Sequence, residues 1–234
     1  MKILGLDSSG LVASVAVVEN DVLLAEYTTD YKKTHSQTLL PMLDELRNMI
    51  ELDLSTVDAI AIASGPGSFT GLRIGSATAK GLGLALDKPI VEVPTLEGLA
   101  WNLWGTDHVV CPLMDARRNQ VYTAAYEFRP EGEGYQLQSV IEQAPIDIVE
   151  MIEKLNSLGR DVIFLGDGVP VYLSVIKKHI SVPFYSAPAG SNRQRAAGVA
   201  SLGAVYYAQG KSVTARDHQP EYLRKSQAER ESEQ

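Results

Sequence analysis

Residues 58–86 contain the stretch that decides the fold, DAIAIASGPGSFTGLRIGSATAKGLGLAL. A short apolar run from Ala59 to Ala63, bounded by glycine and proline, is typical of a buried strand. The loop that follows leads into a predicted helix that ends at Leu86, with Ser68 or Thr70 as its N-cap. The stretch therefore predicts a strand, a tight loop and a glycine-rich helix.

The helix has an unusual composition because its glycines recur on one side. Gly71, Gly75, Ala79 and Gly83 fall four apart on one face, and the neighbouring face is lined by Ile74, Thr78, Gly81 and Ala85. Each helical glycine costs about 0.5 to 1 kcal/mol relative to alanine. Close approach of another backbone must offset this cost, and that backbone belongs either to the same domain or to a second protein chain. The second hypothesis, with Arg73 at the edge of the face, predicts a partner interface.

The bulk properties exclude several classes of protein. A net charge of -8 and a pI near 5.0 argue against a protein that binds nucleic acid by itself. Cys111 is the one cysteine, so no internal disulfide can form and a reducing compartment is expected. The N-terminal apolar run is too short for a signal peptide, and no apolar stretch is long enough to span a membrane. We therefore expect a cytoplasmic protein.

The order of the predicted elements indicates an internal duplication. The series strand, strand, strand, helix, strand occurs twice, and the first strand of each set ends in an aspartate, Asp7 or Asp115. This order predicts an α/β protein of two lobes with a cleft between them. We place an N-terminal, partner-binding lobe at 1–106 and a C-terminal lobe at 107–210. The helix at 195–209 is predicted to bridge back, and the tail at 211–234 to be largely disordered after about 225.

A second helix of the N-terminal lobe is predicted over 34–51. It opens with the capping-box spacing Thr34-His-Ser-Gln37 and carries an apolar stripe along one side. We predict that part of this stripe is exposed beside the glycine helix, and that the two helices form one docking surface. The predicted interface residues are His35, Leu39, Met42, Leu43, Leu46, Gly71, Arg73, Ile74, Gly75 and Thr78.

The doubled lobe, with Asp-x-x-Gly after the first strand, resembles the duplicated actin/hexokinase/Hsp70-like superfamily (ASKHA, ribonuclease H-like). Within it, the combination of ILGLDSSG, SQTLLPMLDELR, SGPGSFTGLRIG and PEYLR resembles the TsaB (YeaZ) family over nearly the whole chain. The SGPGSFTGLRIG block, residues 64–75, is the most specific part.

The resemblance implies a function and partners. Members of the TsaB family are the non-catalytic subunit of the bacterial machinery that places threonylcarbamoyl on N6 of the adenosine 3' to the tRNA anticodon. The resemblance implies a heterodimer with the catalytic paralogue TsaD, joined by the ATPase TsaE, and a homodimer when TsaD is absent. It also implies that the chain meets tRNA only indirectly, through the complex.

The chain differs from a catalytic TsaD-like protein at two motifs. Such proteins carry a His-Met-Glu-Gly-His motif whose histidines hold a metal, whereas this chain has Thr95-Leu-Glu-Gly-Leu99 at the matching place. Neither threonine nor leucine replaces an imidazole as a metal donor. Their Ser-Gly-Gly-His turn corresponds to Asp115-Ala-Arg-Arg118 here, where glycines that let backbone amides approach phosphate are missing.

We therefore expect no metal, no catalytic residues, no resident cofactor and at most weak binding of ATP or ADP. The residues of this vestigial nucleotide cleft are Asp7, Ser8, Asp115, Arg117, Arg118, Gly166, Asp167 and Gly168. Asp7 is alternatively a turn-capping residue, and the Gly-Asp-Gly turn is common in proteins that bind nothing. The alternative function is an ATP-dependent phosphotransferase or a peptidase-like enzyme of the same superfamily.

Overall fold

The computed structural model describes residues 1–31 and 35–223, which divide into two compact units. Unit 1 comprises Met1–Thr95 and the chain from Arg195 onward, and unit 2 comprises Leu96–Gln194. In chain order the elements are β1 (Lys2–Asp7), β2 (Ala13–Glu19), β3 (Val22–Thr29), α1 (His35–Met49), β4 (Ala59–Gly65), α2 (Phe69–Leu86), β5 (Ile90–Pro94), α3 (Thr95–Ala100), β6 (Val109–Asp115), β7 (Gln120–Glu131), β8 (Gly134–Asp147), α4 (Ile148–Leu158), β9 (Val162–Leu165), α5 (Gly168–His179), β10 (Phe184–Ser186) and α6 (Ala196–Ala208).

Unit 1 is built on a mixed sheet with the strand order β3-β2-β1-β4-β5. The first three strands are antiparallel, and β1, β4 and β5 run parallel. Side chains alternate between the two faces of a strand, so Leu4 and Leu6 join the core under α1 while Gly5 faces α6. A Cβ on Gly5 would overlap the carbonyl oxygen of Ala196, which explains why glycine stands in the central strand.

Unit 2 repeats this plan with the strand order β8-β7-β6-β9-β10. Its first three strands are again antiparallel, and β6, β9 and β10 again run parallel. Cys111 and Leu113 of β6 pack with α4 and α5, whereas Val110 and Met114 pack with Leu96 of α3. The predicted duplication and the two-lobe fold class are therefore confirmed.

Helix ends follow the local sequence. Ser68 is the N-cap of α2, and its hydroxyl accepts a hydrogen bond from the Gly71 amide. Asp87 ends α2 in the left-handed conformation. In unit 2 the Asp147 carboxylate caps α4 at the Val149 amide. No helix among the described residues is both long enough and apolar enough to cross a membrane.

Several sequence predictions differ from the structure. Unit 1 ends at Thr95 and not at residue 106, because Leu96 and Leu99 of α3 belong to the core of unit 2. The last helix, predicted to bridge the lobes, lies within unit 1 as α6 and packs on β1, β2 and β4. Helix α5, which begins in the Gly166-Asp-Gly168 turn, has no counterpart among the predicted elements. Thr34 of the capping box and the tail from residue 224 lie outside the described residues.

Candidate functional site

The glycine face of α2 packs inside unit 1. Gly71 and Gly75 are buried, and a Cβ on either would overlap the carbonyl or hydroxyl oxygen of Ser8, in the turn after β1. At the other end of α2, a Cβ on Gly83 would lie 2.7 Å from the Cβ of Ala215. The hypothesis that this face docks a second chain is therefore wrong for Gly71 and Gly75. The close approach that offsets their cost comes from the same unit.

The apolar stripe of α1 is also internal. Leu39, Met42, Leu43 and Leu46 are all less than 5% exposed and pack with the strands of unit 1. Their predicted exposure is wrong, because the stripe that a helix needs to cover its own sheet cannot serve a partner as well. His35, the first residue of α1, is half-buried, and its Nε2 lies 2.8 Å from the carbonyl oxygen of Gly10.

The outward face of α2 is different in character from the glycine face. It consists of half-buried Ile74 and Thr78 together with residues that the interface prediction did not include, namely exposed Ala77, Gly81, Leu84 and Ala85. Leu84 is 62% exposed, and no atom lies within 4 Å of a Cβ built on Gly81. We call these six residues the outer α2 face. The face carries no charge, and the i, i+3, i+4, i+7 spacing predicts it from the sequence.

Residues 213–223 form a strap along α2, which the sequence did not reveal. Val213 exchanges backbone hydrogen bonds with Ile90, and Lys80 donates to the carbonyl of His218 at 2.8 Å. Near the start of α2 the rings of Tyr222 and Phe69 lie 4.7 Å apart between centroids. The Arg73 guanidinium lies 4.0 Å from the Phe69 centroid, so this predicted interface residue is engaged within unit 1.

The predicted nucleotide residues of unit 1 lie in a tightly packed turn. Asp7 and Ser8 are at most 2% exposed. The Asp7 carboxylate accepts hydrogen bonds from the amide of Ser9 at 2.9 Å and from its hydroxyl at 2.6 Å. Burial raises the pKa of Asp7 to about 6, and the Ser9 hydrogen bonds limit the rise. The Ser8 hydroxyl donates to the carbonyl of Gly71 at 2.9 Å, so Ser8 holds α2 in place.

The predicted nucleotide residues of unit 2 lie at the ends of β6 and β9. One oxygen of Asp115 accepts from the Arg117 amide at 2.8 Å and from the Tyr172 hydroxyl at 2.9 Å. Burial and this bond raise the pKa of Tyr172 to about 12. Arg117 and Arg118 are exposed in the turn between β6 and β7. Tyr172, on the unpredicted helix α5, is a residue that the motifs did not signal.

The Gly166-Asp167-Gly168 turn is a packing feature of unit 2. A Cβ on Gly166 would overlap the carbonyl oxygen of Leu113, and one on Gly168 would lie 3.0 Å from the same atom. Both positions are therefore glycine because the backbone of β6 packs closely against them. Burial raises the pKa of Asp167 to about 6, and nearby Asp115 adds to the rise while Arg193 opposes it.

Comparisons with known proteins identify the family. A family model described as TsaD, tRNA N6-adenosine threonylcarbamoyltransferase, matches residues 22–232. The chain is 33% identical over 232 residues to a Bacillus subtilis protein named tRNA threonylcarbamoyladenosine biosynthesis protein TsaB, covering 98% of this chain and 96% of that protein. The chain belongs to the TsaB (YeaZ) family.

Other relatives of this TsaB-family chain agree with that assignment. The Escherichia coli TsaB protein is 29% identical over 236 residues, covering 97% of this chain and 96% of that protein. The crystal structure of YeaZ from Pseudomonas aeruginosa aligns with a TM-score of 0.75 at 28% identity, over 95% of this chain and 99% of that one. A polyphosphate/ATP-glucomannokinase from an Arthrobacter strain aligns with a TM-score of 0.53 at 11% identity, over 89% of this chain and 99% of that one, which shows a shared fold alone.

The two positions that the family resemblance compares with metal ligands of TsaD-like proteins hold core residues in this chain. Thr95 and Leu99 are each 1% exposed. The Thr95 hydroxyl accepts a hydrogen bond from the Gly65 amide at 3.1 Å, and Leu99 lies in an apolar cluster. Within residues 1–31 and 35–223, no group of three or more His, Cys, Asp or Glu side chains is arranged to hold a metal ion. Cys111 is buried, and burial raises the pKa of its thiol to about 12, which suppresses the nucleophilic thiolate.

Proposed function

We propose that this chain is a non-catalytic scaffold and activator subunit in the biosynthesis of N6-threonylcarbamoyladenosine on tRNA. Its similarity over nearly its full length to proteins named for that pathway carries the proposal. In this role it dimerises with a TsaD-type catalytic subunit and acts with TsaE while threonylcarbamoyl passes from threonylcarbamoyl-AMP to the adenosine 3' to the anticodon.

The chemistry of the matched positions supports a non-catalytic role. A transition metal needs imidazole, thiolate or carboxylate donors, and the Thr95 hydroxyl and the Leu99 side chain supply none. Thr95 is also committed to the Gly65 amide, and Leu99 to the core of unit 2. Replacing these residues by histidine would bury two polar rings where the surroundings are already packed, and the ring at Leu99 would lie in an apolar cluster. The metal-dependent step of the transfer therefore belongs, in this proposal, to the partner.

The outer α2 face is the surface that we assign to the catalytic partner. Its six residues carry no charge, and the longest side chain, Leu84, projects into solvent. Small residues let a partner helix approach closely, because few side chains separate the two backbones. The neighbouring helix α1 adds a further apolar side chain to this surface, Leu40, which is 53% exposed. A TsaD-type paralogue is the proposed occupant, and a second copy of this chain occupies the same face when the paralogue is absent.

The experiment that tests this assignment is the Gly81→Leu substitution. No atom lies within 4 Å of a Cβ at Gly81, so the isolated chain has room for the leucine, whereas a closely packed partner does not. Overpacking costs about 1–3 kcal/mol, which corresponds to a loss of affinity of roughly 5-fold to 100-fold. Calorimetric titration with the TsaD-type subunit measures the affinity, and nucleoside analysis of tRNA measures modification in the complete mixture.

Gly190→Leu is the matched control. Gly190 lies in unit 2, has no atom within 4 Å of its Cβ and does not have a left-handed backbone. We expect the control to bind the catalytic subunit like the unsubstituted chain and to support modification. An unchanged affinity of the Gly81→Leu chain would contradict the assigned face. ATP turnover or stoichiometric metal in the isolated chain would instead favour the enzyme alternative.

A further inference from the structure

The described part of the chain has one pair of adjacent arginines without a side-chain partner, and Arg216 is a further arginine without one. Arg117 and Arg118 are exposed, adjacent in sequence and without an ion pair or a side-chain hydrogen bond among the described residues. Most other arginines there have a side-chain partner: Arg47 with Asp44, Arg73 with Phe69, Arg129 and Arg160 with Glu127, Arg193 with the Gly166 carbonyl, and Arg195 with Glu26.

The turn that carries the two arginines is fixed in an unfavourable backbone conformation. Arg117, Arg118 and Asn119 have φ angles of 63°, 56° and 59°, a left-handed run that residues with a Cβ rarely adopt. The turn is held by hydrogen bonds from the Arg117 amide to Asp115 at 2.8 Å and from the Ile148 amide to the Asn119 carbonyl at 3.2 Å. A strained conformation that the surrounding fold maintains is a basis for a functional hypothesis.

Neighbouring carboxylates form no ion pair with the two guanidinium groups in the described chain. Asp115 accepts from the Arg117 amide and the Tyr172 hydroxyl, and Asp147 caps α4 at the Val149 amide. Neither forms an ion pair with Arg117 or Arg118 in the described chain, although the protein as a whole carries a net charge of -8. The turn therefore presents two adjacent guanidinium groups that no ion pair engages in the described chain. Such a feature attracts anions whose oxygens match the planar guanidinium fork.

We infer that Arg117 and Arg118 bind phosphate groups of an RNA backbone, so that this chain contacts the tRNA directly while its partner carries out the chemistry. The inference rests on the proposed function for the identity of the RNA. Two adjacent guanidinium groups on a rigid turn suit the successive phosphates of a nucleic-acid strand, which position the RNA without reading its sequence. This differs from the indirect contact that the family resemblance implies.

The test measures tRNA affinity as a function of salt. Fluorescently labelled tRNA is titrated with the heterodimer of this chain and the TsaD-type subunit, and with this chain alone, between about 0.05 and 0.3 M salt. The Arg117→Ala/Arg118→Ala chain is compared with a Lys177→Ala/Lys178→Ala chain, which loses the same charge from exposed, adjacent residues of the same unit. An Arg117→Lys/Arg118→Lys chain keeps the charge and removes the planar fork.

We expect the arginine-to-alanine chain to bind tRNA about tenfold more weakly at low salt. The slope of log affinity against log salt should fall in magnitude by roughly 1.5 to 2, the value for two lost phosphate contacts. The lysine-to-alanine control should keep the original slope. Equal slopes for the arginine-to-alanine and unsubstituted chains, or an equal loss in the lysine control, would overturn the inference.

Two further measurements separate the alternatives. Titration with ATP and with inorganic phosphate shows whether the arginines bind a free phosphate compound. If the arginine-to-alanine chain loses affinity for those ligands but not for tRNA, the RNA contact is overturned. Gel filtration with the TsaD-type subunit shows whether the arginines bind a protein carboxylate, and loss of the heterodimer would also overturn it. Failure of the unsubstituted chain to form a heterodimer would count against the proposed function, while the titration of the chain alone would still decide the RNA contact.

Discussion

Alanine at Gly71 and alanine at Gly81 should change the stability of unit 1 in opposite directions, although both residues lie in α2. Alanine is favoured over glycine in a helix by about 0.8 to 1 kcal/mol. At Gly81 nothing lies within 4 Å of the new Cβ, so this gain is retained. At Gly71 the Cβ would lie closer than 3.0 Å to the carbonyl oxygen of Ser8, a separation that real Cβ atoms do not show.

The overlap at Gly71 must be relieved by moving backbone against backbone. Moving α2 away from the turn would stretch the 2.9 Å bond from the Ser8 hydroxyl to the Gly71 carbonyl and the 2.6 Å bond from the Ser68 amide to the Ser9 carbonyl. Overpacking of this kind costs about 1–3 kcal/mol. Because both variants have the same helix gain, it cancels between them, and the Gly71→Ala chain should be less stable than the Gly81→Ala chain by the overpacking cost of about 1 to 3 kcal/mol.

The assay must report on unit 1 specifically. Both tryptophans, Trp101 and Trp104, lie in unit 2, so their fluorescence follows the wrong unit. Hydrogen exchange of peptides from β1 and β4, measured by mass spectrometry, follows unit 1 directly. For a chain of this size the expected difference in melting temperature is roughly 2 to 12 °C. Equal stability of the two variants, with the heterodimer lost only in Gly71→Ala, would refute the internal role of the glycine face and restore the interface hypothesis.

Three other predictions concern titratable groups. Burial raises the folded-state pKa of Asp7 from 3.8 to about 6, so ionisation of Asp7 opposes folding as pH rises through that window. In urea melts between pH 4 and 7, Asp7→Asn should therefore gain stability over the unsubstituted chain by up to about 3 kcal/mol. A constant difference across pH would contradict the burial argument. The Arg160 and Arg129 hydrogen bonds lower the pKa of Glu127. Glu127→Gln should therefore lower the free energy of unfolding by about 1 to 2 kcal/mol at pH 7, and by less as pH falls through that lowered pKa. The control Glu150→Gln, on the surface of α4, should change the free energy of unfolding little. Burial lowers the pKa of His218 more than Glu92 raises it, so protonation of His218 opposes folding. The protection of the strap amides against hydrogen exchange should therefore fall as pH drops below 6.5, and His218→Gln should abolish this pH dependence; an unchanged pH dependence in the variant would assign the effect to another group.

The predictable part of the fold came from periodicity and local turn chemistry. The apolar run at Ala59 and the Ser68 cap locate β4 and α2, because strand alternation and capping depend on a few neighbouring residues. The order of these elements also predicted the duplicated sheets. Helix α5 was not predicted, because its opening Gly166-Asp-Gly168 turn was interpreted as a nucleotide motif.

The candidate site was predicted only in part, because several of its residues are set by contacts between distant segments. A helical wheel shows that α2 has a glycine face and an outer face, but it cannot show which of them meets the sheet. Leu39 and Leu43 give the same pattern whether they cover a sheet or a partner. The strap contact of Tyr222 with Phe69 joins residues far apart in the chain, and no local pattern signals it.

The sequence by itself determined that this chain has two α/β lobes of the same plan, a helix rich in glycine, and threonine and leucine, not histidine, at Thr95 and Leu99. Only the tertiary structure decided that Gly71 and Gly75 pack on the Ser8 turn and that the uncharged outer face of α2 is open. Likewise, only the folded chain shows that Arg117 and Arg118 lack acidic partners among the described residues. The physical reason is that residue patterns fix local conformation, whereas the distance between two backbones depends on every segment packed around them.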